Sequence, residues 1–216
     1  MKIGIITGHT QKDKNKILED CLTKLCKNTI DEIINFGIYE DAQDQLSYIE
    51  AALCVSLLLE SEAIDFIITG CSSGQGMMLA CNSFPSVLCG YVQHASDAYL
   101  FGRINHGNAI SYPLGFQWGW AAEVNLKHTL QALLEEPMGI GYPKEEAMRK
   151  QHDSKQLKQI HSLSKKSLVE LIPQLDQTIV HHALTYQPVY QYILQHSSHQ
   201  DIIALIHQYH EEVSKP

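Results

Sequence analysis

Ile64-Asp-Phe-Ile-Ile-Thr-Gly-Cys-Ser-Ser-Gly-Gln-Gly76 is the stretch whose reading decides the fold. Its first half is a short apolar run, too short for a helix, and reads as a strand over 64–69 buried on both faces. Its second half carries Gly74 and Gly76 and opens into a helix over 77–81, which Pro85 stops. A strand, a glycine loop and a helix in that order make the start of a parallel β-α-β unit.

The same alternation extends to both sides. Strands are expected over 3–7, 33–36, 87–92 and 108–112, the second closed by Gly37. Between them, Ile17, Leu18, Cys21, Leu22 and Leu25 recur at helical spacing, residues 46–59 form a strongly apolar helix, and further helices fall over 95–101 and 118–134. Five strands separated by helices imply an α/β fold with three layers, Rossmann-like, its five-stranded parallel sheet covered on both faces. From residue 144 the pattern is helical only: Leu157, Ile160, Leu163, Leu168, Leu171, Ile172 and Leu175 keep a helical period, and further helices follow around 178–184, 188–194 and 201–212. The chain therefore divides into an α/β domain, 1–143, and a helical extension, 144–216, that packs on the core or on a second subunit.

Composition narrows the function classes. Of 216 residues, 44% are hydrophobic and 19% charged, as in ordinary globular proteins, and the net charge is -8. Lys150, Lys155, Lys158, Lys165 and Lys166 are the nearest thing to a basic cluster, so nucleic acid is not an expected partner. No apolar run approaches the ~18 residues of a membrane span, and the opening Met1-Lys-Ile-Gly-Ile-Ile-Thr7 reads as a strand rather than a signal peptide. Cys21, Cys26, Cys54, Cys81 and Cys89 lie in apolar-patterned segments, where free cysteine behaves as a small hydrophobe. A reduced, soluble, cytoplasmic protein is expected.

In open parallel sheets ligands bind beyond the carboxyl ends of the strands. Three polar segments are expected there: Gly8-His9-Thr10, the loop Cys71 to Gly76, and Asn105-His106-Gly107-Asn108. In the middle one, glycines let the backbone approach a ligand, and the following helix offers free N–H groups to a phosphate or an enediolate. A helix N-terminus also lowers the pKa of a thiol, so Cys71 could act as a base beside an oxyanion cradle. On spacing alone, an ordinary turn with a packed cysteine stands as an equal reading; neither GxxxxGK[ST] nor a full GxGxxG is present.

The run from Ile64 through Cys81-Asn82-Ser83 to Val87 resembles the ribose-5-phosphate isomerase B / galactose-6-phosphate isomerase family, with its Cys-Gly-Thr-Gly-x-Gly loop; Ser72-Ser73 stand here for Gly-Thr. The start through His9, the Phe36-Gly37 turn, and Asp97-Ala-Tyr-Leu100 followed by Asn105 and Asn108 extend the likeness over roughly residues 1–155. The resemblance implies interconversion of a phosphorylated aldose and ketose through a cis-enediolate, without metal or organic cofactor. Cys71 would then be the base, and the N–H groups of Ser72, Ser73, Gly74, Gln75 and Gly76 would stabilise the enediolate. His9 and Asn105 would bind substrate, in a homodimer or homotetramer with sites shared between subunits.

Three departures qualify that implication. Ile104 stands where the family has a ring-opening His, leaving His106 or His9 to serve unless the substrate enters already open; Gly8 replaces an Asp; and Gly115 stands where a phosphate-binding Arg is usual. Arg149, Lys150, His152 and Lys155 could supply phosphate charge to a neighbouring subunit, although ordinary surface charge explains them equally well. Two other readings stay open: a catalytically degenerate sugar-phosphate-binding subunit, and a flavodoxin-like nucleotide-binding module. The histidine pairs of the tail, His181-His182, His196 with His199 and His207 with His210, lack a recognisable ligand spacing and read as solvated helix faces, so no metal is expected.

Overall fold

The computed structural model of the chain describes residues 1–116 and 118–213. Five strands, β1 (Lys2–Ile5), β2 (Glu32–Asn35), β3 (Phe66–Cys71), β4 (Cys89–Tyr91) and β5 (Ala109–Pro113), form one parallel sheet in the order β2-β1-β3-β5-β4. The central strand β3 is buried from Phe66 to Gly70, as its unbroken apolar run requires. Helices α1 (Lys12–Leu25), α4 (Ala95–Leu100) and α5 (Ala122–Leu134) cover one face through Leu18, Leu22, Ala98, Leu126, Leu130 and Leu133. On the other face lie α2 (Tyr48–Glu60) and α3 (Gln75–Ser83).

Helix α2 is apolar all round, and residues Ala51 to Leu59 are all buried. A helix of that kind needs neighbours on every side. The sheet supplies one, and the tail supplies the other. Helices α8 (Gln177–Thr185), α9 (Gln187–His196) and α10 (Gln200–Val213) place Val180, Leu184, Val189, Ile193, Ile202 and Ile206 in the same apolar cluster as α2. Polar clasps repeat the attachment: Tyr186 Oη donates to Phe36 O at 2.8 Å, Ser197 Oγ to Ser61 O at 2.7 Å, and Leu168 N to Glu60 Oε1 at 2.9 Å. Of the two placements open for the extension, packing on its own core is the one observed.

Ahead of those helices, α6 (Ala147–Ser164) leans on a π-helical turn, Phe101–Asn105, and Ser154 is its one buried position among the described residues. The short α7 (Leu168–Leu171) follows. Expected and observed boundaries agree to a few residues except at α5, which starts at Ala122 rather than 118. Ala121 takes a left-handed conformation (φ 63°) that breaks the helix before it.

Candidate active site

The chain passes from β1 outward to β2, then returns through α2 to β3 on the other side of β1. The loops after β1 and β3 therefore diverge, opening a crevice at the switch point of the sheet. After β1 comes Gly8 and a short turn, His9–Gln11. The His9 backbone N–H and ring Nδ1 both meet Leu46 O at 2.8 Å. A carbonyl oxygen only accepts, so Nδ1 carries the hydrogen and Nε2 of the neutral ring keeps its lone pair.

Cys71 closes β3, half-buried, in register with Pro113 of β5. Its carbonyl accepts from Gly74 N at 3.2 Å and Leu114 N at 2.9 Å, which folds the loop back on itself. Gly74 has φ 75°, and a Cβ there would lie 2.8 Å from the Tyr91 ring. Both conditions call for glycine. Helix α3 follows directly, and its first turn leaves the N–H groups of Gly76 and Met77 without an acceptor inside the helix. A Cβ on Gly76 would stand 4.0 Å from Cys71 Sγ and 3.7 Å from the Tyr48 ring, so the thiol, that turn and Tyr48 share one space.

Ser72 is held from three directions. Its carbonyl accepts from Gly115 N at 2.9 Å and Phe116 N at 2.7 Å, and its hydroxyl accepts from Gln11 Nε2 at 2.8 Å. The last bond ties the β1 loop to the β3 loop across the crevice. Ser73 Oγ accepts from Gln75 N at 3.3 Å. Gln11 and Tyr91 drew no notice in the sequence, although Gln11 follows the polar turn after β1. Burial, then Asp97 and then Cys71, push the Tyr91 hydroxyl upward, which is a further sign that it borders the thiol.

Asn105 and His106 lie elsewhere. They precede β5, and a segment leading into a parallel strand sits at its amino end. Asn108 O accepts from Ile67 N, while Cys71 faces Pro113. Ala109 and Pro113 are four residues apart, roughly 13 Å along the strand. The expectation that 105–108 joins the carboxyl-end loops is corrected by that direction of the chain. His106, left-handed at φ 50°, packs its ring on Gly139; burial, and then Lys158, push its pKa down. Asn105 is exposed and lines a groove of about 440 Å³ along β4 with Met78, Asn82, Tyr91 and Asp97.

Arg149, His152 and Lys155 are exposed on α6 and Lys150 is half-buried there. Arg149 is already paired, to Glu146 and, at 3.0 Å, to Asp153. Among the described residues no three His, Cys, Asp or Glu side chains converge as a metal site would require, and no helix is long and apolar enough to cross a membrane.

These features define an α/β protein with a thiol and a helix N-terminus facing one crevice at the sheet's switch point. Residues 3–140 match the ribose/galactose isomerase family, and the chain belongs to that family of sugar isomerases. Among solved structures, a 4-deoxy-L-threo-5-hexosulose-uronate ketol-isomerase complexed with a tartrate is 35% identical (TM-score 0.93), covering 98% of this chain and 100% of that one. A ribose-5-phosphate isomerase from Vibrio parahaemolyticus is 32% identical (TM-score 0.92), over 97% and 99%. Both match through the helical tail. The type B ribose 5-phosphate isomerase from Trypanosoma cruzi, at 16% identity and TM-score 0.60, shares the fold; all of it is covered by 74% of this chain. The sequence has no match among curated proteins.

Proposed function

We propose that this chain interconverts an aldose and a ketose through a cis-enediolate, with Cys71 as the base. The observation that carries the reading is the position of Cys71 Sγ beside the first turn of α3. A thiolate there takes the hydrogen from C2 of the aldose, and the electron pair moves to form the C1–C2 double bond. The C1 carbonyl oxygen takes up the charge, facing the N–H groups of Gly76 and Met77. The thiol returns the proton at C1 while the C2 hydroxyl passes its own proton to the C1 oxygen and becomes the carbonyl. His9 Nε2, with its free lone pair, is suited to hold a substrate hydroxyl during that exchange.

The substrate carries an acid group. In the first reading it is a phosphate, held by Arg149, Lys150, His152 and Lys155 of a neighbouring subunit, in a homodimer or homotetramer. A second reading, a sugar acid whose carboxylate carries a single charge, is favoured by Gly115, which offers no guanidinium beside the loop, and by the engagement of Arg149 with Glu146 and Asp153. The uronate ketol-isomerase neighbour supports the same choice. His106 and Asn105 enter the reaction only if a second copy brings its amino-end edge to this crevice.

The test is Cys71→Ala, assayed against ribose 5-phosphate and 4-deoxy-L-threo-5-hexosulose uronate in parallel. Turnover should fall at least ~10³-fold, within the range general base catalysis supplies, while the melting curve keeps its shape. Unchanged turnover removes Cys71 as the base. Turnover of the uronate alone selects the second reading.

A further inference from the structure

We propose that Gln11 is a positioning residue that turns the Ser72 hydroxyl into a hydrogen-bond donor for the substrate. The inference rests on the proposed role of Cys71, because Ser72 is its neighbour in the chain. The Gln11 amide is nearly buried, 6% exposed, and its Nε2 lies 2.8 Å from Thr10 O and 2.8 Å from Ser72 Oγ. Thr10 O can only accept, so the amide nitrogen must be the atom on that side, and both of its hydrogens are then committed. One of them goes to Ser72 Oγ. That hydroxyl accepts from Gln11, and its own hydrogen points away from Gln11.

The rest of Ser72 cannot move to escape this arrangement. Two N–H groups, from Gly115 and Phe116, hold its carbonyl. A Cβ on residue 115 would come within 3.1 Å of Ser72 Cα and Cβ, so the absence of a side chain at 115 is what lets the two loops close together. Ser72 is nevertheless exposed. The outcome is a neutral, exposed donor, fixed in place, on the loop that carries the thiol. Gln11 Oε1 is buried and finds no partner among the described residues. A glutamine kept only for packing would be expected to satisfy both ends of its amide. Here one end is left unsatisfied while the other is aimed at the loop that carries the reacting thiol.

The partner this donor fits is an oxygen of the substrate next to the reacting carbons, a hydroxyl or the developing enediolate. A neutral hydroxyl suits such an oxygen better than it suits a phosphate dianion, for which charged donors serve.

The experiment is a mutant cycle, read as kcat and KM on whichever of the two sugars above the wild type turns over. Gln11→Ala should lower kcat/KM by roughly 3- to 10-fold, the worth of one neutral hydrogen bond. Gln11→Glu, nearly the same shape, should cost more than Gln11→Ala, because a carboxylate accepts from Ser72 and pulls its hydrogen away from the substrate. A packing role predicts the reverse order. In a Ser72→Ala background both Gln11 changes should lose their effect, to within about twofold, as coupled neighbours do. If Gln11→Glu does not fold, the Gln11→Ala and Ser72→Ala pair carries the test alone. Undiminished loss from Gln11→Ala in the Ser72→Ala background overturns the inference. Full activity in Cys71→Ala, or no turnover of either sugar by the wild type, overturns the reading on which it rests.

Discussion

Replacing Leu184 with alanine should destabilise the whole molecule rather than its tail. Leu184 is fully buried on α8, in the cluster it shares with Leu53, Leu57 and Leu58 of α2. The change removes three carbons, about 2.4 kcal/mol at ~0.8 kcal/mol per buried methylene. The cavity left behind adds to that, for a total of about 3–4 kcal/mol, inside the range of large-to-small core substitutions. With a urea slope of roughly 2–3 kcal/mol/M, the midpoint should fall by about 1–2 M at constant slope. Two probes separate the regions. Trp118 and Trp120, the two tryptophans of the chain, lie in the loop between β5 and α5, and Trp118 packs on the core of the α1–α5 face, so fluorescence reports the sheet. Far-ultraviolet circular dichroism is weighted towards helix, tail included. Coincident transitions that move together in Leu184→Ala confirm one cooperative unit. A dichroism transition that shifts alone, with fluorescence unmoved, refutes the reasoning and makes the tail a separate unit. Ile30→Ala, ahead of β2 at a position 96% exposed, is the control and should change stability by less than ~0.5 kcal/mol.

Two more predictions concern the α2–tail junction and the assembled site. Glu50 caps α2: burial pushes its carboxyl up, but bonds from the Ser47 backbone and hydroxyl and from His182 outweigh that and hold it below the usual carboxylate range. A depressed folded pKa contributes stability above the unfolded value, about 4.3, and loses it as pH falls through the lower folded value, so urea midpoints should drop across that acid window in the wild type and less steeply in Glu50→Gln. If Cys71 and His106 meet only across a subunit interface, equal amounts of Cys71→Ala and His106→Ala, each inactive, should regain about a quarter of wild-type activity after subunit exchange, since half the dimers are mixed and each restores one site. No recovery on mixing argues against a shared site.

The strands and most helices could be read from hydrophobic runs because the inner strands of a covered parallel sheet, β1, β3 and β5, are apolar on both faces, and that signal is local. The glycine loop was legible for the same reason: Gly74 needs its positive φ whatever surrounds it. Where the tail packs was not legible, because the all-round apolarity of α2 says that a second neighbour exists but not which segment provides it. Gln11 escaped notice because its meaning depends on Ser72, 61 residues away, and on Gly115, a contact that no periodicity encodes. The start of α5 differs from the expected 118 because Gly119 weakens a helix there and Ala121 is left-handed, which the apolar run of Trp118 and Trp120 does not signal.

The placement of Asn105 and His106 is a matter of chain direction. A loop that leaves a strand and a loop that enters the neighbouring parallel strand lie at opposite edges of a sheet, whatever their polarity. Ile67 faces Ala109 at one edge and Cys71 faces Pro113 at the other, so β5 itself spans the gap between the imidazole and the thiol. No side-chain rotation closes roughly 13 Å of strand. One protomer therefore presents a thiol crevice at one edge and Asn105 towards the other, on a groove that runs along β4 as far as Tyr91. Chemistry that needs both must bring two copies together, with the carboxyl edge of one against the amino edge of the next. Helix α6 stands at that amino edge against the π turn, with Met148, Ile160 and Leu163 exposed to 86%, 63% and 79%. Recovery of activity on mixing the Cys71→Ala and His106→Ala variants is the result that would place a second copy over those positions.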